Sequence, residues 1–181
     1  MVDALLKMDG EILLFIQDHI RQEWMDWFWK AVTHLGDGGV FWILLGIILL
    51  FSKKTRPAGV AALLALLVGA LLTNVCLKNF VARIRPYEVV EGLRLMIERQ
   101  RDYSFPSGHT AASFASVTAL YLAGEKKMWK AALVLAVLIA LSRLYLYVHY
   151  PTDIIGGVVF GSLSGYLGYK IVEWIQKKKI K

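Results

Sequence analysis

The chain has 181 residues, 57 % of them hydrophobic, with six tryptophans and a formal charge of +7. That is one domain's worth of material and far too apolar for a soluble globule, so an integral membrane protein is expected. The basic residues collect in short runs at the ends of apolar blocks, which reads as membrane topology and argues against a nucleic-acid partner.

Residues 3–20 set Leu5, Met8, Ile12, Phe15 and Ile16 at helical spacing with Lys7, Glu11 and Asp18 opposite. This predicts an amphipathic, interfacial helix. No cleavable signal peptide is evident, because a basic start and an unbroken apolar core are both missing. Residues 22–35 carry Trp24, Trp27, Phe28 and Trp29, a cluster suited to headgroup level. Residues 1–36 are therefore expected to form interfacial or first-span helices, and 37–181 the membrane-embedded domain. His19 and His34 have no clustered partners and are expected to be incidental.

Apolar blocks follow at 39–51, 57–77, 110–123, 129–141 (extending to 148) and 154–175. A bilayer core of roughly 30 Å needs about 20 residues of helix, so the first block is short, and five or six spans are predicted in all. The block at 57–77 is rich in glycine and alanine, which permits close helix contact at the centre of a bundle. Lys53, Lys54 and Arg56, then Lys126, Lys127 and Lys130, then Lys177, Lys178, Lys179 and Lys181 fall on one side if the spans alternate. The positive-inside rule makes that side cytoplasmic. Cys76, the one cysteine, is read as apolar filler.

The loops on the opposite side carry the chemistry. The 57–77 helix delivers Lys78, then Arg83, Arg85 and Pro86, where proline is expected to end it. Arg83 is read as part of an outer charge cluster. Residues 87–105 mix charged and apolar groups, and form either a headgroup-recognising loop or a solvated connector. In Pro106-Ser107-Gly108-His109, Ser107 is a natural N-cap, and free amides at a helix start seat an anion. The last motif is Ser142-Arg143-x5-His149-x3-Asp153, in which ionisable residues close an apolar block, and charge at that depth reads as function. Pro151 is expected to break the helix between His149 and Asp153, so that the carboxylate returns to one imidazole nitrogen and leaves the other free. The final helix is expected to begin at Asp153.

Taken together, Lys78-x6-Arg85-Pro86, Pro106-Ser107-Gly108-His109 and Arg143-x5-His149-x3-Asp153 resemble the three motifs of the type 2 phosphatidic acid phosphatase superfamily. They span residues 78–153 without a departure, while the N-terminal third carries none of them. The resemblance implies an all-α integral membrane bundle with a phosphatidic acid phosphatase/haloperoxidase-like four-helix core. It implies that His149 attacks phosphorus and forms a phosphohistidine, that Asp153 orients it, and that His109 protonates the leaving oxygen and then activates water. Lys78, Arg85 and Arg143, with Ser107 and the Gly108 amide, would bind the phosphoryl oxygens. The expected substrate is a lipid phosphate held within the bilayer, with undecaprenyl pyrophosphate first, and phosphatidylglycerophosphate, phosphatidic acid and lipid A phosphates open. A non-catalytic anion transporter and a haloperoxidase are the readings of other classes. No cofactor is expected, and no metal, because three cations aimed at one place repel a divalent ion.

Overall fold

The computed structural model describes residues 2–90 and 95–180, and every regular element among them is helical. Helix α1 (Val2–Phe15) runs into a π-helical turn (Ile16–Ile20), and α2 (Glu23–His34) and α3 (Val40–Leu50) follow, joined by a 3-10 turn at Asp37–Gly39. Helix α4 (Arg56–Gly69) continues through a π-helical segment (Ala70–Leu77) into α5 (Lys78–Val81), and α6 (Pro86–Val89) is a single turn. Helices α7 (Gly108–Leu122), α8 (Met128–Tyr145) and α9 (Pro151–Ile180) complete the described chain.

Among the described residues, Glu23–Leu50, Arg56–Val89, Met128–Tyr145 and Pro151–Lys178 are long and apolar enough to cross a membrane. The tryptophan cluster therefore belongs to the same crossing stretch as the short apolar block, bent where Gly38 and Gly39 take φ of 56° and 68°. Two proline assignments change. Helix α5 ends earlier than expected, at Ala82 in the left-handed region with φ 48°, and Pro86 opens α6. Pro151 opens α9, so the last helix starts there and Asp153 lies in its first turn. At both positions proline sits in the first turn, where its missing N–H would have had no helical partner.

Helix α7 is the axis of the bundle, packed against α4, α8 and α9. Apart from Val117 and Leu120, its buried residues are alanines, serines and a threonine, and the hydroxyls are satisfied locally. Ser113 Oγ donates to the His109 carbonyl at 2.8 Å and accepts from Trp42 Nε1 at 3.0 Å. Small residues let backbones meet where lipid offers no hydrophobic push between helices. The closest approach is at Gly161, where a Cβ would lie 2.4 Å from the Ala111 carbonyl oxygen. Leu44, Ile48, Leu67, Val75, Val134 and Val159 are exposed on the outside, as hydrocarbon contact requires.

The two ends of the bundle differ in charge. Lys54 lines a surface hollow together with Lys126 and Lys127, so the first two basic turns share one end. Helix α9 starts at the other end and runs back to Lys177 and Lys178. Glu91, Leu93, Arg94 and Lys181 lie outside the described residues.

Because α7 and α9 meet backbone to backbone, Gly161→Val should overpack that contact at a cost of about 1–3 kcal/mol. A lower thermal midpoint of the detergent-extracted protein is the expected result. Gly10→Ala, at a site with nothing within 4 Å of the added carbon, should not lower it.

Candidate active site

The three motifs converge at the end of the bundle opposite the lysine turns. The wide π-helical turns over Ala70–Leu77 set the direction in which α5 presents Lys78, a use of π geometry common at functional sites. Arg85 precedes α6, Arg143 occupies the last turn of α8, and His149 sits in the link between α8 and α9. All four side chains are buried, Arg143 and His149 to 1 % exposure. Ser107 caps α7 as expected, accepting from the Thr110 amide at 3.4 Å, and this brings Gly108 and His109 to the same cavity.

His149 is held from behind. Its Nδ1 lies 3.4 Å from Asp153 Oδ2 and 3.4 Å from Ser104 Oγ, while Ser104 Oγ donates to the same carboxylate oxygen at 2.5 Å. That oxygen also accepts from the Tyr150 amide at 2.9 Å. A carboxylate at Nδ1 selects the tautomer that leaves a lone pair on Nε2. Nε2 faces the cavity, 3.3 Å from Arg85 Nη1. Burial, reinforced by Arg85, Arg143 and Lys78, pushes the His149 pKa well below the ordinary imidazole value, so the ring is neutral at neutral pH.

His109 approaches from the other side. Its Nε2 lies 3.5 Å from Arg143 Nη1 and 2.8 Å from Asp37 Oδ1. Asp37 also bonds His34 Nδ1 at 2.7 Å, so His34, expected to be incidental, belongs to a histidine–aspartate–histidine chain at the mouth of the site. His19 stacks on Phe15, with its Nδ1 3.3 Å from the Phe15 carbonyl oxygen. Arg143 Nη1 donates to Thr33 Oγ1 at 2.6 Å, whereas its Nε and Nη2, both buried, have no partner among the described residues.

Sequence reasoning missed Asp102, which lies in the loop left undecided between recognition and connection. Its carboxylate pairs with Lys78 and with Arg85, the latter at 2.6 Å through Nη2. Burial works to raise the Asp102 pKa, but the hydrogen bonds and charges of Lys78 and Arg85 outweigh it and hold the group at about 2. The group is depressed on folding, so its pairing is complete above the usual carboxylate value near 4 and is lost as pH falls towards about 2. Arg83 is also corrected: its Nη1 donates to Asp153 Oδ1 at 2.8 Å, inside the site's support and not in an outer cluster. The signals for these residues were present but unweighted. Asp102 and Ser104 precede Pro106 of the Pro-Ser-Gly-His run by four and two residues, and Arg83 precedes Arg85 by two.

A cavity of about 510 Å³ opens among these groups. Lys78, Arg85, Gly108, His109 and His149 line one part, and Ile43, Leu63, Leu66 and Leu67 the other. A second hollow, lined by His34, Asp37, Glu98 and Gln100, meets the first at His109. Such a combination can take an anion among fixed donors while an attached apolar chain lies between α3 and α4. Among the described residues no cluster of three or more histidine, cysteine or acidic side chains is arranged to hold a metal ion.

A model of the PAP2 superfamily matches residues 58–177, which include every motif residue named above. The chain is 34 % identical over 139 residues to an undecaprenyl-diphosphatase of Sulfolobus acidocaldarius, covering 77 % of this chain and 67 % of the relative. It is also 34 % identical over 161 residues to phosphatidylglycerophosphatase B of Bacillus subtilis, covering 82 % and 75 % respectively. Among solved structures, Aquifex aeolicus LpxE superposes with a TM-score of 0.76 at 31 % identity, covering 88 % of this chain and 93 % of that one.

Since the Asp102 carboxylate occupies two of the cations an anion would need, Asp102→Asn should strengthen competitive inhibition by inorganic phosphate at pH 7. The expected gain is about fivefold, corresponding to about 1 kcal/mol for a half-exposed ion pair, read as the inhibition constant.

Proposed function

The chain belongs to the PAP2 superfamily and is a lipid phosphatase of the membrane, and we propose that it acts on a lipid pyrophosphate through a phosphohistidine at His149. The observation that carries this reading is Arg143, a buried guanidinium with two donor nitrogens unpartnered among the described residues, whose Nη1 lies 3.5 Å from Nε2 of His109 in the cavity wall. Buried cationic donors of that kind call for an anion.

The terminal phosphoryl group would lie among Lys78, Arg85, Arg143 and the Gly108 amide, with Asp102 displaced from the first two. His149 Nε2 then attacks phosphorus: an N–P bond forms, the P–O bond to the lipid breaks, and His109 gives its proton to the departing oxygen. Water attacks the phosphohistidine in the second half, passing a proton to His109 as the N–P bond breaks and phosphate forms. Phosphoryl transfer asks mainly for positioning and charge stabilisation, and planar arginine forks plus a lysine point charge supply both. Asp153 holds the His149 ring throughout.

The apolar arm of the cavity supports a substrate whose chain stays in the bilayer, and the named relatives direct the choice towards a polyprenyl pyrophosphate such as undecaprenyl pyrophosphate. The charge difference between the two ends of the bundle supports a site facing the extracytoplasmic side of the cell membrane, with the C-terminus in the cytoplasm.

Phosphate release from undecaprenyl pyrophosphate, phosphatidylglycerophosphate, phosphatidic acid and lipid A phosphates, measured on purified protein in EDTA, tests the class and ranks the substrates. Turnover should persist in the chelator and be fastest on the pyrophosphate. His109→Ala should lower kcat by about 10²–10⁴, and His149→Ala should abolish turnover together with acid-labile labelling of the protein by radioactive substrate. Retained turnover in His149→Ala would overturn the nucleophile assignment.

A further inference from the structure

The mechanism leaves one buried ionic group unused. Arg83 turns away from the phosphate cavity, and its Nη1 donates to Asp153 Oδ1 at 2.8 Å and to Thr152 Oγ1 at 2.6 Å. Its Nη2 donates to Asp9 Oδ2 at 2.6 Å, and the ring of Tyr150 lies 3.9 Å beneath the guanidinium. Asp9 belongs to α1 and is fully buried; its Oδ1 accepts from the Thr152 amide at 3.0 Å, and its Oδ2 also bonds the Thr152 hydroxyl. An unbroken chain thus runs Asp9, Arg83, Asp153, His149, drawn from α1, the segment after α5, the first turn of α9 and the link before it.

From this chain we propose that Asp9 and Arg83 are positioning residues for the His149–Asp153 pair, so that the N-terminal helix acts in catalysis without touching the substrate. The inference rests on the reading of His149 as nucleophile. Ser104 and the Tyr150 amide fix one oxygen of Asp153, and Arg83 fixes the other, which leaves the carboxylate plane no freedom about the imidazole. Arg83 alone would also draw on the negative charge that Asp153 directs at His149 Nδ1. Asp9 divides that pull, since the same guanidinium serves two carboxylates. A buried ionic cluster is a poor way to pin a helix compared with apolar packing, which α1 already supplies through buried Leu13. Its value lies in direction and charge.

The full-length protein in detergent tests this with Asp9→Asn, Asp9→Glu and Arg83→Lys, alongside Asp153→Asn as reference. Asp9→Asn should lower kcat about tenfold, on the scale by which small displacements of a reacting group slow chemistry, with KM changed by less than about twofold because Lys78, Arg85 and Arg143 are untouched. Asp9→Glu should recover part of the loss, and the thermal midpoint should not track kcat across the set. If Asp9→Asn does not fold, Arg83→Lys decides by the same split, since a single ammonium does not reproduce the fork. A kcat within about twofold of the unmodified chain, or a loss carried wholly by KM, overturns the inference when Asp153→Asn has collapsed kcat. An Asp153→Asn variant with normal kcat removes the nucleophile reading itself, and this inference with it.

Discussion

Like charges resist being buried together, and this protein buries three cations at the head of a membrane bundle, Lys78 and Arg85 in the wall of one cavity and Arg143 beside its His109. Each has lost most of its water, so each needs hydrogen bonds or an anion to remain charged there. In the resting protein Asp102 answers for Lys78 and Arg85, the Val148 carbonyl accepts from Arg85 at 2.9 Å, and Thr33 answers for one nitrogen of Arg143. The remaining donors of Arg143 keep the cluster under-satisfied. Buried cationic donors left in that state favour an anion as their partner.

The backbone is arranged to hold the imbalance still. Helix α7 offers serines and alanines to its neighbours, so α4, α8 and α9 come close enough for residues at their ends to share one cavity. The cations are also paired with the imidazoles. Arg85 stands beside His149 Nε2 and Arg143 beside His109 Nε2, at 3.3 and 3.5 Å. Attack and departure in phosphoryl transfer occur on opposite faces of phosphorus. Two imidazoles, each beside its own guanidinium and held by different segments of the chain, are the arrangement that the proposed transfer would use.

The motif residues were legible because a phosphate site requires particular side chains at particular places, and hydrocarbon tolerates no idle charge. Lys78, Arg85, His109, Arg143, His149 and Asp153 could be marked because charge interrupts apolar blocks there and because the three runs resemble the superfamily motifs, and the structure brings all six to one end of the bundle. The helical class was legible for the same reason, since long apolar blocks cross a membrane only as helices or closed barrels. The misassigned and the overlooked residues share a cause. Arg83, Asp102, His34 and Asp37 gain their meaning from partners far along the chain, and a charged residue in a polar loop looks alike whether solvated or paired. Pro86 and Pro151 were read as stops, although proline's missing N–H suits the first turn of a helix as well as the end of one.

The N-terminal helices show where that kind of legibility runs out. Segments that carry the phosphate motifs contribute the cations and both imidazoles, and a set of groups so rich in positive charge depends on carboxylates from elsewhere. Two of those carboxylates come from the first 39 residues: Asp37 reaches His109 and Asp9 reaches Arg83. Neither lies in a pattern of its own, because a counter-charge is defined by what it faces and can be supplied by any helix that passes. The amphipathic spacing of α1 predicts an apolar face, and it does present Leu5, Met8 and Ile12 outward. Yet Asp9, placed among them, is turned inward and fully buried, against its polarity. A helix that merely lay on the membrane would gain nothing by burying that carboxylate; one that completes the electrostatics of a site beneath it would.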